Sequence, residues 1–137
     1  MPTITIPDIC AAGAPALFLD FDGTLVDIVA RPDLTRVPPP VIEMLGVIHR
    51  RVGGALAVVT GRPLADLDRL LSPLKLPAAG IHGVEHRAAG HHVEIRCEAS
   101  IPNDIRERIR RLAGSDNRLV LEDKGIGISL HYRQASE

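Results

Sequence analysis

Asp20 and Asp22, two residues apart and followed by Gly23 and Thr24, are the residues of this chain whose types and spacing best suit chemistry. In an extended segment the side chains at i and i+2 point to one side, so both carboxylates can face the same ligand. Gly23 allows a tight turn that aims main-chain amides at an anion such as a phosphate. One acid can then attack phosphorus while the other moves a proton. Paired Asp residues also end strands and cap turns without any catalytic task. Here they directly follow the continuous apolar run Pro15-Ala-Leu-Phe-Leu19, the pattern of a strand ending at a ligand crevice, which favours the catalytic reading.

A second polar point stands forty residues later, where Ala55-Leu-Ala-Val-Val59 runs into Thr60-Gly61-Arg62. A hydroxyl at the tip of a neighbouring strand can bond a phosphate oxygen, with Gly61 clearing space beside it, although a Thr before Gly is more often a plain helix cap. Arg62 can steer an anion or pair with an acid of the core. The phosphate-contacting candidates are therefore Asp22, Gly23, Thr24, Thr60 and Gly61.

The elements around them read as strand, helix, strand, helix, strand. A helix starts at the triple proline 38–40 and stops at Gly53-Gly54; a second carries Leu64, Leu67, Leu70 and Leu71 on one stripe; Ala78-Ala-Gly-Ile81 is a third short strand. Right-handed crossovers and a parallel sheet follow, with function at the carboxyl ends of the strands. From about residue 85 the style changes. A hairpin around Ala88-Ala-Gly90, a helix with Ile105, Ile109 and Leu112 on one side, and two alternating stretches joined at Gly125 suggest a small α+β module. The expected division is residues 1–84 for the core and 85–137 for this cap.

Bulk properties narrow the classes. At 137 residues, with 45% hydrophobic and 24% charged residues, the chain suits one ordinary domain or two incomplete ones. Its net charge is -1, only 2% of residues are aromatic, and the one dense basic run, Arg106 to Arg111, has the spacing of a solvated helix face, so nucleic acid is not the expected partner. Neither a spanning apolar run nor a signal peptide is present, which leaves the cytoplasm as the expected site. Cys10 and Cys97 match no metal or disulfide spacing, and His91 and His92 read as hairpin surface.

Asp20-Phe-Asp-Gly-Thr-Leu25 resembles the first motif of the haloacid dehalogenase superfamily, and Thr60 falls where its second motif is expected. Gly80-Ile-His-Gly-Val-Glu85, Leu121-Glu-Asp-Lys-Gly125 and His131-Tyr-Arg133 are similar to segments of trehalose-phosphate phosphatases. The resemblance implies a partial Rossmann-like α/β core with part of a cap and a Mg²⁺ ion at Asp20 and Asp22. It further implies an aspartyl-phosphate formed at Asp20, and a sugar phosphate, trehalose 6-phosphate, as the small-molecule substrate. Asp22 would protonate the leaving oxygen and then activate water. In that family the positions of Glu122, Lys124 and Arg133 hold the disaccharide; His82 and Glu85 are either substrate contacts or hinge structure. Another sugar-phosphate phosphatase, or a non-catalytic sugar-phosphate binder, are the rival readings.

The resemblance also implies a later core Lys and an acidic cluster completing the Mg²⁺ site, and the sequence contains neither. The chain is accordingly expected to be a front half with little activity alone, and to self-associate through an exposed edge of the third strand.

Overall fold

The computed structural model describes residues 13, 15–88, 90, 92–95, 101–132 and 135. Cys10, Cys97, His91 and Arg133 lie outside the described residues. Strand β1 (Leu17–Asp20), helix α1 (Pro39–Arg51), β2 (Leu56–Val59), α2 (Leu64–Leu71) and β3 (Ala78–Gly80) follow one another as the apolar pattern predicts. Pro39 and Pro40 sit in the first turn of α1, where a missing N–H costs nothing, and Arg50 and Arg51 complement the dipole in its last turn. Gly53 and Gly54, at φ of +61° and +87°, end it: the Gly54 N–H bonds the His49 carbonyl at 2.8 Å.

β1, β2 and β3 are parallel, with Leu19 opposite Val58 and Asp20 opposite Val59. Two antiparallel strands, β4 (Glu85–Arg87) and β5 (Glu94–Ile95), continue the same sheet, Gly80 pairing with Glu85 and His86 with Glu94. The third strand is therefore not an edge, contrary to the sequence expectation: β4 occupies that side, and the unpaired edges among the described residues are those of β1 and β5. Arg87 holds the added hairpin against α2 through two bonds to Asp68, at 2.6 and 2.7 Å, and two to the Leu76 carbonyl, at 3.0 and 3.1 Å.

Leu56, Val58 and Ala78 pack against Leu45, Leu64, Leu67 and Leu71 in a single core on one face of this sheet. The other face is open, with Phe18 72% and Val59 41% exposed. The continuous apolar run that predicts burial on both faces thus meets helices on only one of them among the described residues.

The second module has helix α3 (Asn103–Gly114) beside the hairpin β6 (Val120–Asp123) and β7 (Ile128–His131). Ala113 is buried and Ile109 half-buried, whereas Ile105 and Leu112, expected on the packed side, are exposed. Charge adds to the link: Arg106 and Arg110 both reach Asp123, the latter at 3.0 Å, and Arg106 also donates to the Gly125 carbonyl. Among the described residues no helix is long and apolar enough to cross a membrane.

Candidate active site

The chain alternates at the end of β1 as the two-residue spacing requires: Phe21 is fully buried, while Asp20 and Asp22 are exposed on the other side. Asp20 accepts a hydrogen bond from the Thr24 hydroxyl at 3.2 Å. The turn after it closes on itself. The Leu25 and Val26 N–H groups bond the Phe21 carbonyl at 3.0 and 3.2 Å, and the Gly23 N–H, at φ +91°, bonds the Val26 carbonyl at 2.8 Å. The Gly23 amide expected to face an anion is spent inside the turn.

Thr60 lies one residue past β2 and is 4% exposed. Its oxygen accepts the Arg62 N–H at 3.1 Å, a local turn-capping bond, and Thr60 is not among the residues that line the cavity below. Beside it Gly61 is needed for a reason the sequence does not show: a Cβ there would stand 2.7 Å from the His82 ring carbon Cε1. His82 and Ile81 both occupy the left-handed region, at φ of 53° and 47°, rare for non-glycine residues and strained for a β-branched one. That turn lays the exposed imidazole over Gly61.

Arg62 is 6% exposed and its guanidinium meets Asp22, Asp66, Thr35 and the Pro32 carbonyl. Burial opposes the cation, yet the hydrogen bonds and charges of Asp22 and Asp66 outweigh it and raise Arg62 above the ordinary guanidinium range. For Asp66 burial acts upward, and the hydrogen bonds of Arg69 and Arg62 overcome it to leave the carboxyl below its usual range. Glu85 accepts the Leu64 N–H at 2.6 Å and so caps α2, whose own N-cap position, Pro63, offers no side-chain oxygen.

A cavity of about 320 Å³ opens above these groups, in the size range of small-ligand sites. Asp20, Asp22, Gly61 and Arg62 form its floor, with His82 beside them. Ile28, Val29, Ala30 and Pro32 make an apolar wall, and Glu122, Lys124, Ser129 and His131 of the β6–β7 hairpin a polar one. Lys124 Nζ donates to the Gly61 carbonyl at 2.5 Å and lies 3.6 Å from Glu122, whose Oε2 is 2.9 Å from His131 Nε2. The predicted residues Asp20, Asp22, Gly61, Arg62, His82, Glu122 and Lys124 are thus brought together, while Gly23, Thr24, Thr60 and Glu85 stand outside the cavity lining. Ser129 and His131 were available to sequence reasoning from their shared strand face. The 28–32 wall carries no motif that could have announced it.

The family model for trehalose-phosphatase matches residues 18–137. The chain belongs to the trehalose-phosphatase family. Within that family it is 39% identical over 122 residues to a probable trehalose-phosphate phosphatase of Sinorhizobium fredii, covering 89% of this chain and 46% of that one. It is 36% identical over 123 residues to the trehalose-6-phosphate phosphatase of Escherichia coli, with the same coverages. The chain spans about half the length of these curated relatives. In fold it is similar to the C-terminal domain of the Candida albicans trehalose-6-phosphate phosphatase (TM-score 0.71, 19% identity, 86% of this chain and 42% of that one). A haloacid dehalogenase-like hydrolase of Bacillus subtilis is similar as well (TM-score 0.55, 20% identity, 82% and 37%), so the partial Rossmann-like α/β core expected from the sequence is the observed one.

Proposed function

We propose that this chain carries the nucleophile-bearing part of a phosphatase for trehalose 6-phosphate. The observation that supports this most is that Asp20 and Asp22 line one cavity together with Glu122, Lys124, Ser129 and His131. Asp20 offers an attacking carboxylate, and the hairpin residues offer charged and hydroxyl groups suited to sugar hydroxyls. The name shared by the curated relatives supports the choice of sugar.

In the proposed reaction an Asp20 carboxylate oxygen attacks phosphorus in line and the bond from phosphorus to the sugar oxygen breaks. Asp22 gives that oxygen its proton, then takes one from the water that attacks the aspartyl-phosphate, returning Asp20 and releasing inorganic phosphate. Both Asp22 oxygens accept from Arg62, but each keeps a second lone pair, and the side chain is 39% exposed at the cavity floor. The Thr60 hydroxyl and the Arg62-bound Asp22 belong to adjacent strand ends. His82 and Lys124 would meet the sugar side of the ester, and Arg133, outside the described residues, is proposed with them from the family resemblance.

A divalent ion at Asp20 and Asp22 does not find a complete set of ligands here. No group of three or more His, Cys, Asp or Glu side chains converges among the described residues. The same observation favours a second reading, a sugar-phosphate binder without turnover.

Phosphate release from trehalose 6-phosphate, compared between the chain and Asp20→Asn, tests the proposal. Slow release that depends on Asp20 is expected. Release unchanged in Asp20→Asn overturns the nucleophile assignment, and calorimetric binding of the ester without any release supports the binder. Faster release from sucrose 6-phosphate than from trehalose 6-phosphate would move the substrate to another sugar.

A further inference from the structure

A guanidinium has five N–H bonds in a fixed planar fork. In Arg62 all five have protein acceptors. Nε donates to Asp22 Oδ2 at 2.8 Å; one Nη2 bond goes to Asp22 Oδ1 at 2.7 Å and the other to Thr35 Oγ1 at 2.6 Å; the Nη1 bonds go to Asp66 Oδ2 at 2.8 Å and the Pro32 carbonyl at 3.2 Å. The fork also lies over the Phe21 ring, 5.6 Å from its centroid. No N–H remains for a phosphate or sugar oxygen, so of the two roles the sequence leaves open to Arg62, steering an anion or pairing with an acid of the core, its surroundings serve the second.

What the five bonds share is direction. Four of them run to the segment that follows β1, two to Asp22 and one each to Pro32 and Thr35, and the fifth anchors the fork on α2 through Asp66. Thr35 is itself 1% exposed, so its hydroxyl has no water to exchange with. We propose that Arg62 is a positioning residue: it fixes the orientation of the Asp22 carboxylate and pins the 30–36 segment, so that the cavity floor and its apolar wall move as one with the turn after β2. Lysine cannot substitute, because its ammonium is a point donor unable to bridge both Asp22 oxygens while reaching three other acceptors. The catalytic consequence rests on the phosphatase reading above; the positional one does not.

The experiment compares the unaltered chain with Arg62→Lys and Arg62→Ala, each with and without free guanidinium ion. In turnover of trehalose 6-phosphate, kcat is expected to fall roughly a hundredfold in both variants with KM within about twofold, as for a displaced catalytic group. Guanidinium is expected to restore part of kcat in Arg62→Ala only. A raised KM with kcat preserved, or an Arg62→Lys enzyme equal to the parent, overturns the proposal. Amide hydrogen exchange gives the readout that needs no turnover: residues 30–36 should lose protection in both variants while β2 and α2 keep theirs. If the parent shows no release dependent on Asp20, the phosphatase reading fails, and unchanged exchange at 30–36 would overturn the positioning role separately. Should Arg62→Ala not fold, Arg62→Lys carries both measurements.

Discussion

Gly61→Ala isolates one contact. Gly61 is not in the left-handed region, so alanine suits its backbone and the cost is steric alone. The new Cβ would stand 2.7 Å from His82 Cε1 and 2.9 Å from Nε2, closer than non-bonded carbon and nitrogen tolerate. The imidazole has to swing away or the strained Ile81-His82-Gly83 turn has to yield. Overpacking of this kind costs about 1–3 kcal/mol, so about 2 kcal/mol is expected here. For a chain of 137 residues that lowers Tm by about 7 °C. Thermal and urea denaturation of Gly61→Ala, His82→Ala and the double variant form the assay. Because the clash needs both partners, the double variant should recover most of the loss, giving a coupling of about 1–2 kcal/mol. A Gly61→Ala chain within about 0.3 kcal/mol of the parent, or a double variant whose losses simply add, would show that the imidazole does not sit over Gly61. Gly80→Ala is the control: its Cβ would meet the Arg62 carbonyl at 2.9 Å, a backbone atom, and His82→Ala should not rescue it.

Leu67 is fully buried between α2 and the sheet, so Leu67→Ala should cost about 2–5 kcal/mol in urea unfolding. Asp123 is held at about 2, below its ordinary 3.8, first by the Arg106 hydrogen bond, then by the Gly125 N–H and the charges of Arg106 and Arg110. Its folded value is the lower one, so its contribution is complete above pH 3.8 and fades as pH falls toward 2; the Tm difference between the parent and Asp123→Asn should shrink across that window. Lys124→Ala should weaken binding of trehalose 6-phosphate by about tenfold, in line with a lost charged hydrogen bond, and leave a small aryl phosphate unaffected; calorimetry on both esters checks it. Mg²⁺ at millimolar concentration should shift Tm by less than about 1 °C, whereas a site of micromolar affinity would raise it by several degrees.

Much of the fold was legible because its signals are local. The proline triplet and double glycine bracket α1, the leucine stripe marks α2, and Asp20 and Asp22 project together because Phe21 is drawn into the core between them. What escaped the sequence depends on partners distant along the chain. Nothing near Arg62 reveals that acceptors 40, 30 and 27 residues earlier and one four residues later will consume its five donors. Glu85 reads as a motif residue until β4 brings it to the bare N-terminus of α2. The open face carrying Phe18 and Val59 was equally unreadable, because an apolar run specifies a tendency to be covered and not what covers it.

The bond from Lys124 to the Gly61 carbonyl spans sixty-three residues and gives the hairpin a foothold on main chain, which no substitution at position 61 can delete. Under the proposed function, an ester reaching the hairpin would either bond another N–H of that ammonium or draw it away from the Gly61 carbonyl. A phosphate too small to touch the hairpin would leave the foothold in place, whereas a disaccharide ester filling both ends could exchange it for its own hydroxyls. Breaking that bond is a cost that a long substrate meets and a short one does not, so the bonds of its hydroxyls have to offset it.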